Sequence, residues 1–282
     1  MQASVDWLTE SGAQFSPEVG RAGYAHLKHY TAQYCVWGEG PPLVLVPGLA
    51  GGFELLGPLA RLLARDFRVI SYQLRGEDDC FAVRRHFDLT DLADDLCEFL
   101  DWFGLERPAV LGVSFGGVLA LELAARRPHR LRSLVLQGVG ARFERGLLQQ
   151  VAGLVLSRYP LPPDSPFVNQ FFNLLFGSRQ RQGPLFQFVT RQCWQTDQSV
   201  MAHRFGLVEA FDTERRLGSV RVPALALAGD RDLLVSPQSL DDLIHGLPRA
   251  RAVPLAGCGH LAFVTRPQRV ADEVKRFLIA AG

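Results

Sequence analysis

The chain has 282 residues, of which 48% are hydrophobic and 21% are charged. These values are those of a globular protein that is long enough for one large core. The net charge of +1 gives no electrostatic reason to expect binding to nucleic acid or to an anionic membrane surface. No stretch approaches the roughly 18 apolar residues of a membrane span, so none is expected.

The amino terminus and the cysteines favour a cytoplasmic protein. The first residues, MQASVDWLTESG, lack the basic and apolar regions of a secretory signal peptide. The five cysteines are odd in number and have no C-x-x-C spacing, which favours reduced thiols. For the oligomeric state, the sequence leaves both a monomer and a homodimer open.

Short aliphatic runs alternate with longer helical patterns, which predicts an α/β fold with a mostly parallel sheet flanked by helices. Strands are predicted at residues 31–37, 43–48, 68–73, 108–113, 131–138, 222–230 and 250–255. Helices are predicted at residues 53–67, 88–104, 117–127, 236–247 and 266–282.

This alternation stops between about Gly140 and Leu217, where strand patterns give way to aromatic residues and prolines. We interpret residues 140–217 as a helical cap inserted into a core formed by residues 1–139 and 218–282. Apolar patches of this kind normally cover something, so the cap is expected to fold over the carboxyl end of the sheet.

The segment GVSFGG places Ser114 between glycines, at the junction of a predicted strand and a predicted helix. This is the context of a nucleophile elbow, a sharp turn that exposes a serine hydroxyl. Gly112 and Gly116 lie two residues before and after the serine, where side chains would collide in such a turn. A plain turn that carries a serine is the alternative, and the flanking strand and helix favour the nucleophile.

A serine nucleophile needs a base, and the base needs a group that orients it. Among seven histidines, His260 lies in a glycine-rich loop after a strand, where α/β sheets present reactive groups. We predict His260 as the base and Asp232, in the loop after the strand at 222–230, as the orienting acid. Asp230 lies in the same loop and is interpreted as a turn or capping residue.

The tetrahedral intermediate of acyl transfer needs hydrogen-bond donors for its oxyanion, commonly backbone N–H groups. Phe115 follows the serine and opens a helix, so its N–H is one predicted donor. The second predicted donor is the N–H of Leu49 in VPGLAGG, whose glycines allow close approach of a substrate. A flexible loop without a role is the alternative for this segment.

Two polar segments need a separate interpretation. The run Glu77-Asp78-Asp79 lacks His or Cys ligands around it, so a solvated acidic loop is expected rather than a cation site. Arg191 is interpreted as an ordinary salt-bridged residue of the cap, and orientation of a polar substrate group is the alternative. No phosphate-binding or dinucleotide motif is present, and we predict neither a cofactor nor a metal.

Together the motifs resemble the α/β-hydrolase superfamily, in its cap-bearing branch of esterases and related hydrolases. The resemblance extends from about Tyr24 to Phe277 and depends on five segments: VPGLAGG, Arg75-Gly76, GVSFGG, GDRD and GCGH. It implies an oxyanion loop, a structural turn, a nucleophile elbow, an acid loop and a histidine loop, in that order.

The chain order Ser114, Asp232, His260 is also the order of the triad in this fold. Two positions depart from the family pattern. Pro47 precedes the glycine of the oxyanion loop, where the family usually has histidine, and Gln73 stands where it usually has aspartate.

The resulting hypothesis is a serine hydrolase that cleaves small-molecule carboxylic esters with an apolar acyl or alcohol group through an acyl-enzyme. The same residues serve carbon–carbon bond hydrolysis, lactone opening and perhydrolysis elsewhere in this superfamily, and the fold does not decide among them. A sensor that turns over a small molecule slowly is the alternative from another class.

Overall fold

The computed structural model describes residues 20–77, 87–143, 146–158, 161–162, 165–177, 183–211 and 216–281. The strands of this part are β1 Arg21–His26, β2 Thr31–Trp37, β3 Pro42–Val46, β4 Arg68–Tyr72, β5 Ala109–Val113, β6 Ser133–Gln137, β7 Ala224–Gly229 and β8 Ala250–Leu255. They form one sheet in the order β1-β2-β4-β3-β5-β6-β7-β8. β2 is antiparallel to both neighbours, and the strands from β4 to β8 pair in parallel. The predicted mostly parallel α/β fold is confirmed.

The described α-helices lie on both faces of this sheet and at its carboxyl edge. They are α1 Gly52–Leu63, α2 Leu89–Trp102, α3 Phe115–Arg126, α4 Leu147–Arg158, α5 Pro166–Leu175, α6 Pro184–Cys193, α7 Gln198–Glu209, α8 Pro237–Gly246, α9 Ala262–Thr265 and α10 Pro267–Ala281. None of these helices combines the length and apolarity that crossing a bilayer requires.

The central strands are continuous aliphatic runs because both faces of the sheet are covered. In β3, Val44 and Val46 pack with α2 and α3 on one face. Leu43 and Leu45 point to the opposite face and pack with α1 and α10. The alternation of side chains along a strand therefore supplies two hydrophobic cores from one segment.

β1 is a strand that the sequence did not predict. Its residues alternate poorly, and only Ala25 among the six is fully buried. Backbone pairing with β2 along its whole length holds this edge strand in place. A strand that buries so little apolar surface leaves no hydrophobic pattern for sequence analysis to find.

The segment between β6 and β7 is helical where the structure describes it. It contains α4 to α7, and no strand occurs in its described residues. α5 and α6 each begin at a proline, which is favoured in the first helical turn because its missing N–H would have no partner there. The exact division of the chain into a core and a cap at 140 and 217 stays a prediction.

The turn after β5 is too tightly packed to accept a side chain at Gly116. A Cβ atom at Gly116 would collide with the backbone carbonyl oxygens of Val46 and Pro47. Because backbone atoms cannot move aside, we expect Gly116→Ala to lower the free energy of unfolding by about 1–3 kcal/mol. Urea denaturation followed by circular dichroism measures this change.

Gly206→Ala is the matched control, since an added Cβ at this position in α7 meets no atom within 4 Å. Alanine is the better helix former, so this variant should gain up to about 1 kcal/mol. Equal stability of Gly116→Ala and the parent protein would contradict the close packing described for this turn.

Candidate active site

Ser114 occupies the sharp turn between β5 and α3. Its backbone has φ +50° and ψ −117°, and it is the only non-glycine residue with positive φ in the described ranges. Such a conformation is strained and persists only where the surroundings enforce it. Here the N–H of Ser114 donates to the Gln137 carbonyl oxygen at 2.8 Å. A Cβ at Gly112 would collide with the backbone of Gly116 and Gly117, so the turn depends on these glycines.

The structure brings His260 and Asp232 to this serine in a continuous chain of hydrogen bonds. His260 Nε2 lies 2.8 Å from Ser114 Oγ, and His260 Nδ1 lies 2.9 Å from Asp232 Oδ2. The side chains of His260 and Asp232 are 4% and 0% exposed, so solvent does not compete for these contacts. The three residues selected from sequence therefore meet at the carboxyl ends of β5, β7 and β8.

The surroundings of Asp232 keep it ionised. Burial by itself acts to raise the pKa of this carboxyl, but the charge and hydrogen bond of His260 outweigh it, and the net pKa is lowered. Asp232 Oδ1 also accepts the N–H groups of Leu234 and Val235, at 2.8 and 3.2 Å. An ionised Asp232 accepts the Nδ1–H of His260, which leaves Nε2 free to accept the serine proton.

Asp230 and Gln137 have supporting positions around this chain. Asp230 Oδ1 accepts the N–H of Gly257 at 2.7 Å, so it links two loops as the expected turn residue. Gln137 Nε2 donates to the His260 carbonyl oxygen at 3.1 Å. Sequence reasoning missed Gln137, although a lone amide side chain at the end of the apolar strand SLVLQ is the signal that could have found it.

Leu49 and Phe115, the predicted oxyanion donors, both border the space in front of Ser114. A Cβ at Gly48 would lie 3.9 Å from Ser114 Cβ, so the loop after β3 passes directly beside the serine. Within the described residues, neither amide N–H donates to a protein acceptor. Both N–H groups therefore remain available for a ligand oxygen.

The loop that carries Leu49 is held by two residues from the segment between β6 and β7. Arg204 Nη1 donates to the Leu49 carbonyl oxygen at 2.9 Å, and the Gly51 N–H donates to Thr196 Oγ1 at 3.0 Å. Sequence reasoning missed both residues because no local pattern marks them. Arg191 is exposed on α6, which agrees with the surface role favoured for it from the sequence.

The expectation of a solvated acidic run is wrong at Glu77. Its side chain is only 5% exposed and forms an ion pair with the fully buried Arg204. The other two members, Asp78 and Asp79, lie outside the described residues. In the part of the chain that the structure covers, no three His, Cys, Asp or Glu side chains are placed to hold a metal ion.

Glu54, in the first turn of α1, approaches Glu77 beside the loop after β3. One carboxylate oxygen of each residue lies 2.8 Å from the position that a Cβ at Gly52 would occupy. Burial, together with repulsion from Glu77, raises the pKa of Glu54 to about 7, although a hydrogen bond to its own backbone opposes the shift. Two acidic side chains thus lie beside the loop after β3, and of these Glu77 is paired with Arg204.

An apolar cavity of about 140 Å³ opens in front of Ser114 and His260. Leu49 and Phe115 border it on the side of the sheet. Apolar side chains from the segment between β6 and β7 form much of the remaining wall, namely Leu156, Phe171, Phe172, Trp194, Met201 and Phe205. Among the described residues that line it, Glu209 is the one carboxylate, and neither Lys nor Arg contributes.

Comparison with protein families finds a match to the alpha/beta hydrolase fold over residues 41–267, which is most of the chain. The chain belongs to the α/β-hydrolase family. This match confirms the predicted superfamily and fold class. It also confirms the prediction that the protein is a hydrolase enzyme.

Individual relatives of this α/β hydrolase differ in size and in name. It is 30% identical over 248 residues to the polyketide synthase ThaQ of Burkholderia thailandensis, which covers 86% of the chain but only 12% of that much longer protein. It is 29% identical over 267 residues to a pimeloyl-(acyl-carrier protein) methyl ester esterase of Xanthomonas campestris, covering 87% of the chain and 98% of the esterase. The solved enol-lactonase of Burkholderia xenovorans LB400 superposes with a TM-score of 0.82 at 23% identity, over 91% of this chain and all of the other.

The raised pKa of Glu54 predicts how the stability of this α/β hydrolase depends on pH. A carboxyl whose pKa is raised on folding holds its proton more tightly in the folded state, so stability falls as pH rises from about 4.5 to about 7. Glu54→Gln removes this dependence. We therefore expect the variant to be more stable than the parent at pH 8, with the difference shrinking towards pH 5.

Chemical denaturation at four pH values between 5 and 8 measures this effect. Glu106→Gln, which removes a carboxylate from an exposed loop, controls for the loss of one negative charge. If the stability difference between Glu54→Gln and the parent does not change with pH, the pKa of Glu54 is not raised in the folded protein.

Proposed function

We propose that this enzyme is a serine esterase that cleaves carboxylic esters with an apolar, uncharged acyl or alcohol group through an acyl-enzyme. The observation that carries this proposal is the hydrogen-bonded chain Ser114–His260–Asp232 at the wall of an apolar cavity. Nucleophile, base and orienting group are each within hydrogen-bond distance of the next, which is the geometry that activation of a serine requires.

In the acylation step, Ser114 Oγ attacks the ester carbonyl carbon while His260 Nε2 takes the hydroxyl proton. The carbonyl oxygen becomes an oxyanion, which accepts the N–H groups of Leu49 and Phe115. Asp232 stabilises the imidazolium through Nδ1–H. When the intermediate collapses, the bond to the alcohol oxygen breaks, and the alcohol leaves with the proton from His260.

Deacylation repeats the same steps with water as the nucleophile. His260 Nε2 takes a proton from water as its oxygen attacks the acyl carbon, and the oxyanion again forms between Leu49 and Phe115. Collapse breaks the bond to Ser114 Oγ, which recovers its proton from His260. The carboxylic acid is released, and the enzyme returns to its starting state.

The helical segment 140–217 acts in this proposal as the cap over the site. Its aromatic and aliphatic side chains in the cavity wall support this role, because apolar walls with few polar groups are typical of small-molecule pockets. Such a roof excludes water, which strengthens the hydrogen bonds to a developing oxyanion. The esterase from X. campestris, which matches nearly end to end, supports ester cleavage as one reaction of this site.

Labelling and turnover test the proposal together. The parent protein should react with a fluorophosphonate probe and hydrolyse p-nitrophenyl esters over many turnovers, whereas a slow sensor stalls after about one. Ser114→Ala should keep the fold by circular dichroism, lose the label and lose kcat by several orders of magnitude. Labelling that persists on another serine would overturn the assignment of the nucleophile.

The charge of the cavity wall predicts selectivity against anionic acyl groups. Among the described residues of the cavity wall, a carboxylate inside this pocket would have no Lys or Arg to pair with. We therefore expect kcat/KM for p-nitrophenyl hexanoate to be at least about 10-fold higher than kcat/KM for the p-nitrophenyl monoester of adipic acid. The reason is that burying an unpaired charge is costly.

The two esters have acyl chains of the same length and differ only at the far end, so they form a matched pair. A preference of the parent for the charged ester would contradict the uncharged substrate class and leave the esterase assignment intact.

A further inference from the structure

We propose that Arg204 and Thr196 are positioning residues of the oxyanion hole, which hold the backbone of residues 47–52 so that the Leu49 N–H faces the reacting carbonyl. This inference rests on the proposed esterase function. It assigns to the segment between β6 and β7 a second role besides roofing the cavity, namely that of a clamp on the catalytic backbone.

Arg204 contacts the residues of both proposed oxyanion donors from a fully buried position in α7. Its Nη1 donates to the Leu49 carbonyl oxygen at 2.9 Å, and its Cζ lies 5.9 Å from the centroid of the Phe115 ring. The remaining contacts anchor the guanidinium itself. Nη1 also donates to Glu77 Oε1 at 2.5 Å, and Nη2 donates to the Arg75 carbonyl oxygen at 2.9 Å.

Thr196 holds the same loop at Gly51, two residues after Leu49. Its hydroxyl oxygen accepts the N–H of Gly51 at 3.0 Å, and the residue is only 2% exposed. Thr196 lies between α6 and α7, so both anchors come from one part of the chain. Two consecutive peptide planes of the loop, 49–50 and 50–51, are therefore each held by a buried side chain.

The loop needs such anchors because of its composition. Pro47 has no N–H to donate, and Gly48, Gly51 and Gly52 give the backbone unusual freedom. Gly51 and Gly52 use this freedom, with φ of +86° and +51°. The Leu49 N–H belongs to peptide plane 48–49, which shares the Leu49 Cα with the anchored plane 49–50. Fixing the Leu49 carbonyl therefore leaves only two backbone dihedrals between the anchor and the donor.

A purely structural role for Arg204 explains the observations less well. Replacement of a buried ion pair by apolar residues is often neutral or stabilising, so the pair with Glu77 is weak evidence for a contribution to stability. In the described part of the chain, Arg204 Nε is also buried without a hydrogen-bond partner, which adds a cost. What the guanidinium supplies is two donors at fixed positions, aimed at carbonyl oxygens of two loops.

The test compares catalysis with the binding of a transition-state analogue. In an alkyl trifluoromethyl ketone, Ser114 Oγ bonds to the carbonyl carbon, the serine proton passes to His260, and the former carbonyl oxygen becomes an oxyanion. Its inhibition constant therefore reports on the oxyanion hole, whereas KM for an uncharged p-nitrophenyl ester reports mainly on the apolar cavity. The inhibition constant, KM and the melting temperature are measured for each variant.

Thr196→Val removes one anchor and keeps the side-chain shape. We expect kcat to fall about 10-fold and the inhibition constant to rise by the same factor, with KM unchanged, and Thr196→Ser should restore both. Arg204→Met should show losses of about 100-fold or more in both quantities, and Arg204→Lys, which keeps one charged donor, should be intermediate. If the Arg204 variants do not fold, the Thr196 pair decides.

Ser71→Ala is the control, because it removes another buried hydroxyl that is hydrogen-bonded to the backbone. The Ser71 hydroxyl donates to the Leu45 carbonyl oxygen at 2.8 Å, and Ser71 does not line the cavity. It should lower the melting temperature and leave the inhibition constant unchanged. Folded Thr196→Val with kcat and inhibition constant within twofold of the parent overturns the inference, as does an equal rise of the inhibition constant in Ser71→Ala. If the parent protein does not hydrolyse esters, the proposed esterase function is wrong. That result is distinct from the results that overturn the roles of Arg204 and Thr196.

Discussion

The site depends on one strained backbone conformation, that of Ser114. A positive φ at a non-glycine residue is sterically costly, and a turn this sharp leaves no room for side chains two residues to either side. The buried β5 and the helix α3 hold the conformation from both ends. The rigid interior of the sheet thereby supports a serine that projects beyond its edge, where the loop after β7 delivers Asp232 and the loop after β8 delivers His260.

Burial gives these few contacts their strength. Electrostatic interactions weaken in water and grow in an interior of lower effective dielectric constant. Asp232 is fully buried yet ionised, because the imidazole and two backbone N–H groups together offset the cost of removing it from water. The apolar cavity extends this dry surrounding to the space where an ester carbonyl would lie. A small number of polar atoms in such surroundings suffices to orient a reaction.

The segment between β6 and β7 contributes polar as well as apolar groups. Its aromatic side chains line the cavity, and its Arg204 joins the loop after β3 to the loop after β4 through Leu49, Arg75 and Glu77. These loops are more than 120 residues away from Arg204 in sequence. The same segment therefore contributes both to the wall of the cavity and to the contacts that hold the loop carrying Leu49.

The sequence by itself determined the parts of this protein that local patterns encode. Short apolar runs identified seven strands, and the glycines around Ser114 identified the turn, because each pattern has one dominant structural cause. Only the tertiary structure decided β1, which is held by backbone pairing, and the roles of Thr196 and Arg204. Their function lies in hydrogen bonds to distant backbone atoms, and a side chain that acts through a partner far along the chain leaves no mark on its own neighbours in sequence.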